Sequence, residues 1–600
     1  MRIDGNANIM MKIKFKKRYF FYSICALLII ILHAPIEGCI RMYKIHYKFS
    51  ATIDLTRDSI FREFKTQKPY FPEEFNEQAR LFYLCKVWGF VKYHGENPLL
   101  HSVIDSLLIV AIPHAISSTN KKEFSTILKM FISPALDYPS TREKTYTNIN
   151  DYVLFDNLWM NDTLCLYDKI KADLNTIWIK HTGKNNFAFN KKSTGNIRLM
   201  NEVNYPEFPD EKKRLLGLFR YWNLINYFYV YKNHMDENWD KVLYESIPDF
   251  KNADTRKKYH QAIYRLTNRL RDTHASYPPT IDKVVFGPYR PNFRLMLIDN
   301  TYIISKIRLP HYDKDNFKVG DIVIEIDGQD IHTLSDSLGQ YVCGGNYWSN
   351  QSFLCNAILS RRDSSTLFTL VRNKDTLFVK SKNYQVYEMF QAERKKEREN
   401  EKKQLYKWIN DSIAYWDLRS VTADNYNRNY KSIQSASVII LDLRCYPCTD
   451  LILYLTNSFV PPNSFFAYGT YPDARFPGMI RYQKTTSESI GNKDYYKGKV
   501  IVLINEWTES YSEYTTMALQ VNPKTITVGN SSSGSDGNIT TFEFPGGVKT
   551  IYSGIGIYYP DFTSTQRTGV KINHTVEPTI KSIKQGIDVA YEKAVEIAKQ

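Results

Sequence analysis

The chain has 600 residues, which is too long for a single hydrophobic core and predicts three or four domains. Apolar residues make up 43% of it and charged residues 24%, as in folded globular proteins, and the abundant Tyr and Phe argue against long disordered stretches. The formal net charge is +16, but the sequence holds neither a Cys/His finger nor an RNA-binding aromatic motif. A lysine-rich surface therefore explains the charge better than a nucleic-acid partner does.

The N-terminal segment has the features of an export signal. The basic cluster Lys12–Arg18 precedes thirteen uncharged residues, 20–32, which are fewer than the roughly twenty that a membrane span needs. The Gly38-Cys39 pair that follows resembles a bacterial lipoprotein cleavage site, so Cys39 is predicted to be acylated and to become the mature N-terminus. A plain cleaved signal and an uncleaved anchor are the alternatives. All three place the bulk of the chain outside the cytoplasm.

A weak internal repeat comes next. Arg, Leu, Trp and Tyr recur in register between residues 80–93 and 214–227, and both stretches space their apolar residues as amphipathic helices do. Two copies are too few for a solenoid, so we expect a pair of related helical packing elements with their aromatic stripe in the core. Residues 180–211 are polar and are predicted to be a linker, and residues 212–272 are predicted to be helical.

Residues 286–384 change to the two-residue period of strands. The stretch 319–331 is typical of a turn, a strand, a tight turn and a second strand, and it resembles an element of PDZ domains. A PDZ domain binds an extended peptide by adding a strand to its sheet edge. The mixed-charge run 393–403 is predicted to be a solvated helix or connector.

An α/β pattern begins near residue 406. Buried strands are predicted at 437–443, 499–504 and 525–529, with a helix at 511–520 between the last two. Strand, helix and strand joined by short loops indicate a βαβ unit in a parallel or mixed sheet.

Ser510 lies where the second of these strands passes into the helix, which is where α/β folds place their ligand sites. Backbone N–H groups at a helix N-terminus can stabilise an oxyanion, so Ser510 is a candidate nucleophile. The spacing of Ser510 and Glu513 is also that of a capping box, in which both side chains only satisfy the helix end. Local sequence leaves both interpretations open.

A nucleophilic serine needs a base, and histidine is the usual one. Among the twelve histidines, His274 is distinctive because it follows a predicted helix within a polar turn. The one CxxC pair, Cys445 and Cys448, cannot supply four zinc ligands, although it could form a local disulfide. Neither a metal nor another cofactor is expected.

The C-terminal half, about residues 205–600, resembles the C-terminal processing (tail-specific) serine peptidases, and most closely their tricorn-core branch. The matching motifs occur in the order of that family: Leu270-Arg-Asp-Thr-His274-Ala, Val319-Gly-Asp, Leu441-Asp-Leu-Arg444, Asn505-x-x-Thr508-x-Ser510-x-x-Glu513 and Gly529-x-x-x-x-Gly534. The resemblance implies Ser510 as nucleophile and His274 as base, with Thr273 beside it. It also implies that the N–H of Tyr511 and that of the Cys448-Thr449 loop stabilise the oxyanion.

The sequence departs from the family at three places. Ser535 stands where the processing peptidases carry a lysine, so a Ser/Lys dyad is not expected. Gln566 stands where the tricorn branch carries an acidic residue, and a neutral amide can orient a hydroxyl or water but supplies no negative charge. Cys448 and Thr449 replace a Gly-Gly pair.

The implied fold is a multidomain α+β chain with a helical region, a PDZ-like β module and a C-terminal α/β peptidase core of the ββα-repeat, crotonase-like type. The expected segments are a signal at 1–39, a tether at 40–72, an N-terminal domain at 73–204, the helical part of the peptidase at 205–285, the PDZ-like domain at 286–384, a charged connector at 385–405 and the peptidase core at 406–600.

The leading hypothesis is an exported, metal-independent serine peptidase that acts on protein or peptide substrates and is held at a membrane by its lipid anchor. One alternative is a peptide-binding envelope protein of the same fold with little or no turnover, which Gln566 and the Cys448-Thr449 pair keep open. Another is an envelope scaffold whose aromatic N-terminal domain binds a partner or glycan. A serine-directed fluorophosphonate would separate the first hypothesis from the other two.

Overall fold

The computed structural model of the chain describes residues 68–138, 151–153, 157–183, 189–191, 195–200, 202–276, 283–309, 316–400, 405–448, 450–485 and 491–600. The predicted export signal with Cys39 lies outside these residues, as does Thr449. The described residues belong to one compact unit, in which helices from the predicted segments 73–204 and 205–285 share a core. The predicted domain boundaries remain predictions.

Helices dominate the described part of the chain before residue 277. They are α1 (Glu77–His94), α2 (Pro98–Ser117), α3 (Lys121–Leu136), α4 (Asp168–Lys180), α5 (Glu211–Phe228), α6 (Trp239–Lys251) and α7 (Arg256–Asn268). Asparagine, aspartate or threonine side chains accept a backbone N–H at the start of all of these except α4, which fixes where each helix begins. The helical stretch predicted at 212–272 is thus three helices separated by short breaks.

The two sequence repeats form two helical hairpins with equivalent contacts, α1–α2 and α5–α6. The guanidinium group of Arg80 donates to carbonyl oxygens at the C-terminal end of α2, and that of Arg214 donates to carbonyl oxygens at the C-terminal end of α6. Trp88 donates its ring N–H to a carbonyl of α2, and Trp222 donates its ring N–H to a carbonyl of α6. The repeated residues therefore perform the same contacts in both hairpins, as expected for related packing elements.

The hairpins meet at a close crossing of α1 and α5. Gly89 lies against Asn223, the residue at the equivalent position of the other repeat, and a Cβ on Gly89 would come within 2.0 Å of the Asn223 side chain. The Asn223 amide donates to the carbonyl of Cys85 at 3.2 Å and to that of Phe219 at 2.9 Å, so it joins both helices. Only glycine permits this approach.

Buried ion pairs cross between the hairpins in both directions. Lys86 of α1 pairs with Asp240 of α6 at 2.5 Å, and Arg220 of α5 pairs with Asp105 of α2. All four side chains are largely buried. Removing one partner of such a pair leaves an uncompensated charge, which costs about 3–5 kcal/mol.

By length and composition alone, α2 is the one helix among the described residues that could cross a membrane. One of its faces packs on α1 and α3, and Asp105 on that face is paired with Arg220. Leu99, Val103 and Val110 are exposed on the other face.

Residues 289–382 form a β module, as the change of period predicts. Its main sheet has the order β10 (Asp375–Lys382), β9 (Ser365–Arg372), β7 (Ile322–Ile326), β6 (Thr301–Ile307) and β5 (Phe293–Ile298). The short β8 (Gln329–Asp330) pairs with β7 through a two-residue turn, in which Asp327 and Gly328 both have positive φ. β5 is the last strand of the sheet, and α9 (Tyr347–Leu359) packs beside it. The remaining elements are β4 (Tyr289–Arg290), β11 (Tyr384–Gln385), α8 (Ile331–Gly339) and α10 (Val386–Asn400).

The C-terminal part is built on a mixed sheet. The order is β12 (Tyr406–Asn410), β13 (Ile413–Asp417), β14 (Val438–Asp442), β17 (Lys499–Ile504), β18 (Thr525–Gly529) and β22 (His574–Thr575), and every pair from β13 onward is parallel. The helices are α11 (Ala423–Ile433), α12 (Leu451–Phe459), α13 (Tyr511–Leu519), α14 (Ile580–Gln585) and α15 (Val589–Lys599). The predicted βαβ unit is therefore β17–α13–β18, and the two central strands, β14 and β17, are buried runs of Val, Ile and Leu.

Smaller sheets bring distant parts of the chain together. One contains β1 (Asp151–Val153), β16 (Met479–Thr485), β15 (Ala467–Pro472) and β21 (Gly556–Tyr558), another is the hairpin β19 (Ile539–Phe544) and β20 (Val548–Ser553), and a third pairs β2 (Phe189–Lys191) with β3 (Ile197–Leu199). The β19–β20 hairpin packs against α5 and against the turn that follows α7. That turn contains His274, so the hairpin holds His274 in place.

Candidate active site

Ser510 lies between the carboxyl end of β17 and the first residue of α13. Its backbone has φ 52° and ψ −109°, whereas a residue that only caps a helix normally has an extended backbone. A non-glycine residue held in such a sparsely populated conformation carries strain of roughly 1–3 kcal/mol, and strain of this kind gathers at functional sites. In α/β-hydrolases a sharp strand-to-helix turn with a strained backbone presents the hydroxyl of the nucleophilic serine outward.

The strand end next to β17 holds the Ser510 turn in place. The hydroxyl groups of Thr508 and Ser512 both donate to the carbonyl of Leu443, at 2.8 and 3.1 Å. Leu443 directly follows β14, so the loop after β14 and the turn before α13 are joined. The hydroxyl of Tyr446, in the same loop, lies beside the Ser510 side chain.

Glu513 organises the backbone around Ser510. Its buried carboxylate accepts hydrogen bonds from the N–H groups of Ser510, Gly534 and Ser535 and from the hydroxyl of Ser532, at 2.6–3.1 Å. The capping-box contact of Glu513 with Ser510 is therefore present, but it belongs to a larger network that also holds the loop after β18. Burial raises the pKa of Glu513 to about 7, although the four donors favour its ionised form.

Two further carboxyl groups lie near Glu513. Burial, together with the charges of Glu513 and Asp272, raises the pKa of Glu509 to about 7. Burial and Glu513 raise the pKa of Asp536 as well, and one Asp536 oxygen has no hydrogen-bond partner within the described residues. Like charges this close disfavour simultaneous ionisation.

His274 lies in the single 3-10 turn Thr273–Ser276 after α7, with 6% of its surface exposed. Its Nδ1 is 2.8 Å from the hydroxyl oxygen of Ser553, and that hydroxyl is 3.0 Å from Oδ1 of Asp272. Asp272 also accepts the backbone N–H groups of Ser553 and His274, at 2.7 and 3.1 Å. Burial lowers the pKa of His274, and the charge of Asp272 opposes this shift.

Thr273 has a different task from His274. Its hydroxyl donates to the carbonyl of Ser533 at 2.9 Å and accepts the N–H of Gly345 at 2.8 Å. It therefore ties the histidine turn both to the β module and to the loop after β18.

That loop, residues 530–537, links the two halves of the site. Ser533 donates its N–H to the carbonyl of Thr508, beside the Ser510 turn, and its carbonyl accepts from Thr273, beside His274. Within the described residues no hydrogen bond joins Ser510 directly to His274. Catalytic hydrogen bonds are often long before substrate binds, so this geometry is compatible with a nucleophile and its base.

Gln566 and Ser535 are both fully enclosed near this loop. The amide of Gln566 donates to the hydroxyl of Tyr229 at 3.5 Å, and Tyr229 in turn lies 3.4 Å from Asp272. The Gln566 carbonyl and the Ser535 hydroxyl make no hydrogen bond within the described part of the chain.

The candidate oxyanion donors flank Ser510. Tyr511 is the first residue of α13, so its N–H is among those at the helix N-terminus. Cys448 is partly exposed in the loop after β14, and its carbonyl accepts the N–H of Leu451 at the start of α12. Thr449 lies outside the described residues.

The β module contacts the nucleophile turn. The guanidinium group of Arg294, on the edge strand β5, lies over the ring of Trp507 at 4.7 Å from its centroid. Trp507 is three residues before Ser510, so this cation–π contact connects the edge strand of the module to the nucleophile turn.

Sequence reasoning predicted Ser510 and His274 as nucleophile and base from the strand-to-helix position and the polar turn, and these roles remain predictions. It did not single out Ser553, whose hydroxyl contacts His274 from 279 residues away and which has no distinguishing local pattern. Asp272 was visible within the Asp-Thr-His motif, but only the structure shows its hydrogen bond with Ser553.

Residues 412–581 match the model of peptidase family S41. This match confirms, for that segment, the resemblance to the C-terminal processing peptidases. No curated protein sequence matches the chain.

The solved structures that resemble the chain include the following three. Mature CPAF is 12% identical over 65% of this chain and 97% of its own, with a TM-score of 0.50. The photosystem II D1 C-terminal processing protease is 14% identical over 63% and 98%, with a TM-score of 0.36. The tricorn protease is 16% identical over 64% of this chain and 36% of its own, with a TM-score of 0.31. The likeness to mature CPAF shows the fold alone.

Proposed function

Because residues 412–581 match the model of peptidase family S41, we propose that the protein is a serine peptidase with Ser510 as nucleophile and His274 as general base. The observation that carries the proposal is the backbone of Ser510, with φ 52° and ψ −109° at the start of a helix. Helix capping does not require this strained conformation, whereas a serine presented for attack does.

In the proposed reaction His274 takes the proton of Ser510 as the serine oxygen attacks a peptide carbonyl. The negative charge that develops on the carbonyl oxygen is stabilised by the N–H of Tyr511 and by an N–H of the Cys448-Thr449 loop. His274 gives that proton to the departing amine as the peptide C–N bond breaks, and the acyl-enzyme that remains is then hydrolysed by water. Gln566 is proposed to orient a hydroxyl or water as a neutral amide, and Ser535 takes no proton because it is not basic.

We assign substrate capture to the β module. The last strand of its sheet, β5, is the element to which an extended peptide could add as a further strand, in the manner of a PDZ domain. α9 beside β5 would form the other wall of that groove. Because β5 also carries Arg294, a peptide bound there would lie next to the nucleophile turn.

Export is part of the proposal. The basic cluster and apolar run of residues 12–32 and the Gly38-Cys39 pair support a signal whose cleavage leaves Cys39 as a lipidated N-terminus. The peptidase would then act at a membrane face outside the cytoplasm, on peptides or proteins present there.

Labelling with a serine-directed fluorophosphonate tests the proposal. We expect the wild-type protein to be labelled on Ser510, and the Ser510→Ala variant to fold, to lack the label and to lose peptide hydrolysis. Ser432→Ala is the matched control, because Ser432 is an exposed serine on α11 of the same C-terminal part and its hydroxyl donates to the carbonyl of Arg428 in its own helix. A Ser510→Ala variant that still hydrolyses peptides would refute the assignment.

A peptide-binding protein without turnover is the second candidate. The neutral Gln566 and the replacement of two glycines by Cys448 and Thr449 favour it. In that case the wild-type protein would bind peptides at the module but take up no fluorophosphonate.

A further inference from the structure

We propose that Ser553 and Asp272 are positioning residues for this reaction, which hold His274 as the tautomer that carries its proton on Nδ1. The inference rests on the proposed function, because it concerns the base of that reaction. It assigns to this pair the task that a directly bonded carboxylate performs in other serine hydrolases.

The direction of the hydrogen bonds follows from what each group can do. An ionised carboxylate only accepts, and Asp272 is surrounded by donors: the N–H groups of Ser553 and His274 and the hydroxyls of Ser553 and Tyr229. The single hydroxyl proton of Ser553 therefore points to Asp272, at 3.0 Å. The Ser553 oxygen then has only lone pairs to offer His274, so Nδ1 must be the nitrogen that bears the proton.

The opposite arrangement is unfavourable. If Ser553 donated to Nδ1, the Ser553 oxygen and Oδ1 of Asp272 would face each other 3.0 Å apart without a proton between them. Ser553 and Asp272 have no exposed surface, so water cannot relieve the conflict.

The consequence for catalysis lies at the other ring nitrogen. With the proton on Nδ1, the lone pair on Nε2 is available to take the proton of Ser510, and the ring becomes an imidazolium with an N–H on each nitrogen. No proton passes to Asp272. Its carboxylate is 3.8 Å from Nδ1, too far for a direct hydrogen bond but close enough to stabilise the positive ring.

Ser553 and Asp272 also compensate for the negative charge that the neutral Gln566 does not supply. Within the described residues the side chain of Gln566 hydrogen-bonds only to the hydroxyl of Tyr229, and it carries no charge. Asp272 is the carboxylate that hydrogen bonds connect to His274, through Ser553. The negative charge that the base needs thus comes from the histidine turn itself.

The tautomer can be measured without any activity assay. We would label the histidines of the full-length protein with ¹⁵N, assign His274 from the spectrum of a His274→Gln variant, and record nitrogen shifts at pH 8, where the ring is neutral. The expected result is a protonated Nδ1 in the wild type. In Ser553→Ala the proton should move wholly or partly to Nε2, and fluorophosphonate labelling should slow by about 10–100-fold.

Two further variants separate positioning from packing. Ser553→Thr keeps the hydroxyl and should restore both the tautomer and the labelling rate. Asp272→Asn lets an amide donate to Ser553, which reverses the bonds and should slow acylation by about 10⁴-fold, as the equivalent change does in Ser-His-Asp enzymes. Thr550→Val is the control from the same strand, because the Thr550 hydroxyl is buried and makes no hydrogen bond in the described residues.

The outcomes distinguish this inference from the proposed function. A wild-type His274 protonated on Nε2, or a tautomer and labelling rate unchanged in Ser553→Ala, would overturn the role of the pair while labelled Ser510 still supported a peptidase. A wild type with protonated Nδ1 that takes up no fluorophosphonate would overturn the peptidase and leave the pair as a structural device. Should Asp272→Asn fail to fold, the wild-type and Ser553 spectra still decide the question.

Discussion

The backbone of Ser510 carries strain that a substitution can release. Alanine at φ 52° is as strained as serine, whereas glycine occupies this region without penalty. We therefore expect Ser510→Gly to be more stable to chemical denaturation than Ser510→Ala by about 1 kcal/mol, although both lose the nucleophile. An equal or lower stability of the glycine variant would show that the turn is relaxed.

The buried carboxyl groups near Ser510 make stability depend on pH. The pKa of Glu509 is about 7 in the folded protein against an ordinary 4.5, so folding favours its protonated form. The penalty is absent below pH 4.5, grows between pH 4.5 and 7, and is complete above pH 7. We expect Glu509→Gln to raise the free energy of unfolding at pH 8 by about 1–3 kcal/mol and to change it little near pH 4.5.

Glu513→Gln is the contrasting variant for that experiment. Glu513 has a similarly raised pKa but accepts four hydrogen bonds, and a glutamine NH₂ would face those donors. It should destabilise the protein at every pH. A stabilising effect of this variant would mean that the hydrogen bonds around Ser510 are weaker than the cost of burying the charge.

The pH dependence of turnover tests the base. Burial lowers the pKa of His274 below the ordinary value of 6.5, so the neutral, proton-accepting ring predominates already in mildly acidic solution. The ascending limb of kcat/KM should therefore have its midpoint below pH 6.5. A limb found only at alkaline pH would identify another base.

At the level of single residues, the sequence alone predicted the candidate nucleophile and base but not their support. Ser510 and His274 lie in motifs whose spacing is local. The contact of Ser553 with His274 depends on how the β19–β20 hairpin packs against the turn after α7, which no short-range pattern encodes. The strain at Ser510 likewise became apparent only from backbone angles.

Among the secondary-structure elements, β5 and the nucleophile turn offer the clearest test of coupling. Arg294→Met keeps the length of the side chain and removes the charge that lies over Trp507. We expect hydrolysis of a short peptide to fall several-fold while peptide affinity of the module is unchanged. Lys380→Met, an exposed change on β10 of the same module, is the control. Loss of affinity in Arg294→Met would instead place Arg294 in the peptide groove.

Strands and short loops were the elements that sequence predicted best. Runs of Val, Ile and Leu predicted β14 and β17, the β-branched residues of 525–528 predicted β18, and the Asp327-Gly328 turn was evident because few residues tolerate positive φ. The breaks between α5, α6 and α7 were not predicted, since their amphipathic period continues across the gaps. The packing of the two helical hairpins depends on contacts between residues that are far apart in the chain.

For the whole molecule, the position of the mature N-terminus is the decisive prediction. If Cys39 is lipidated, mass spectrometry of the N-terminal peptide should find a diacylglycerol on its sulfur, and Cys39→Ser should release the protein from the membrane fraction. Cys25→Ser is the control, because Cys25 lies in the part that cleavage would remove. An unmodified N-terminus at another residue would leave a secreted enzyme, and retention of residues 20–32 would indicate an uncleaved anchor.

The crossing of α1 and α5 has a consequence for the symmetry of the helical region. Equivalent residues of the two repeats, Gly89 and Asn223, touch each other, and the ion pairs of Lys86 and Arg220 each reach the opposite hairpin. A position that meets its own equivalent lies on a twofold axis, so the hairpins are arranged as the subunits of an isologous homodimer. Because both hairpins belong to one chain, the two sides of this axis need not be identical, and it carries a glycine on one side and an asparagine on the other.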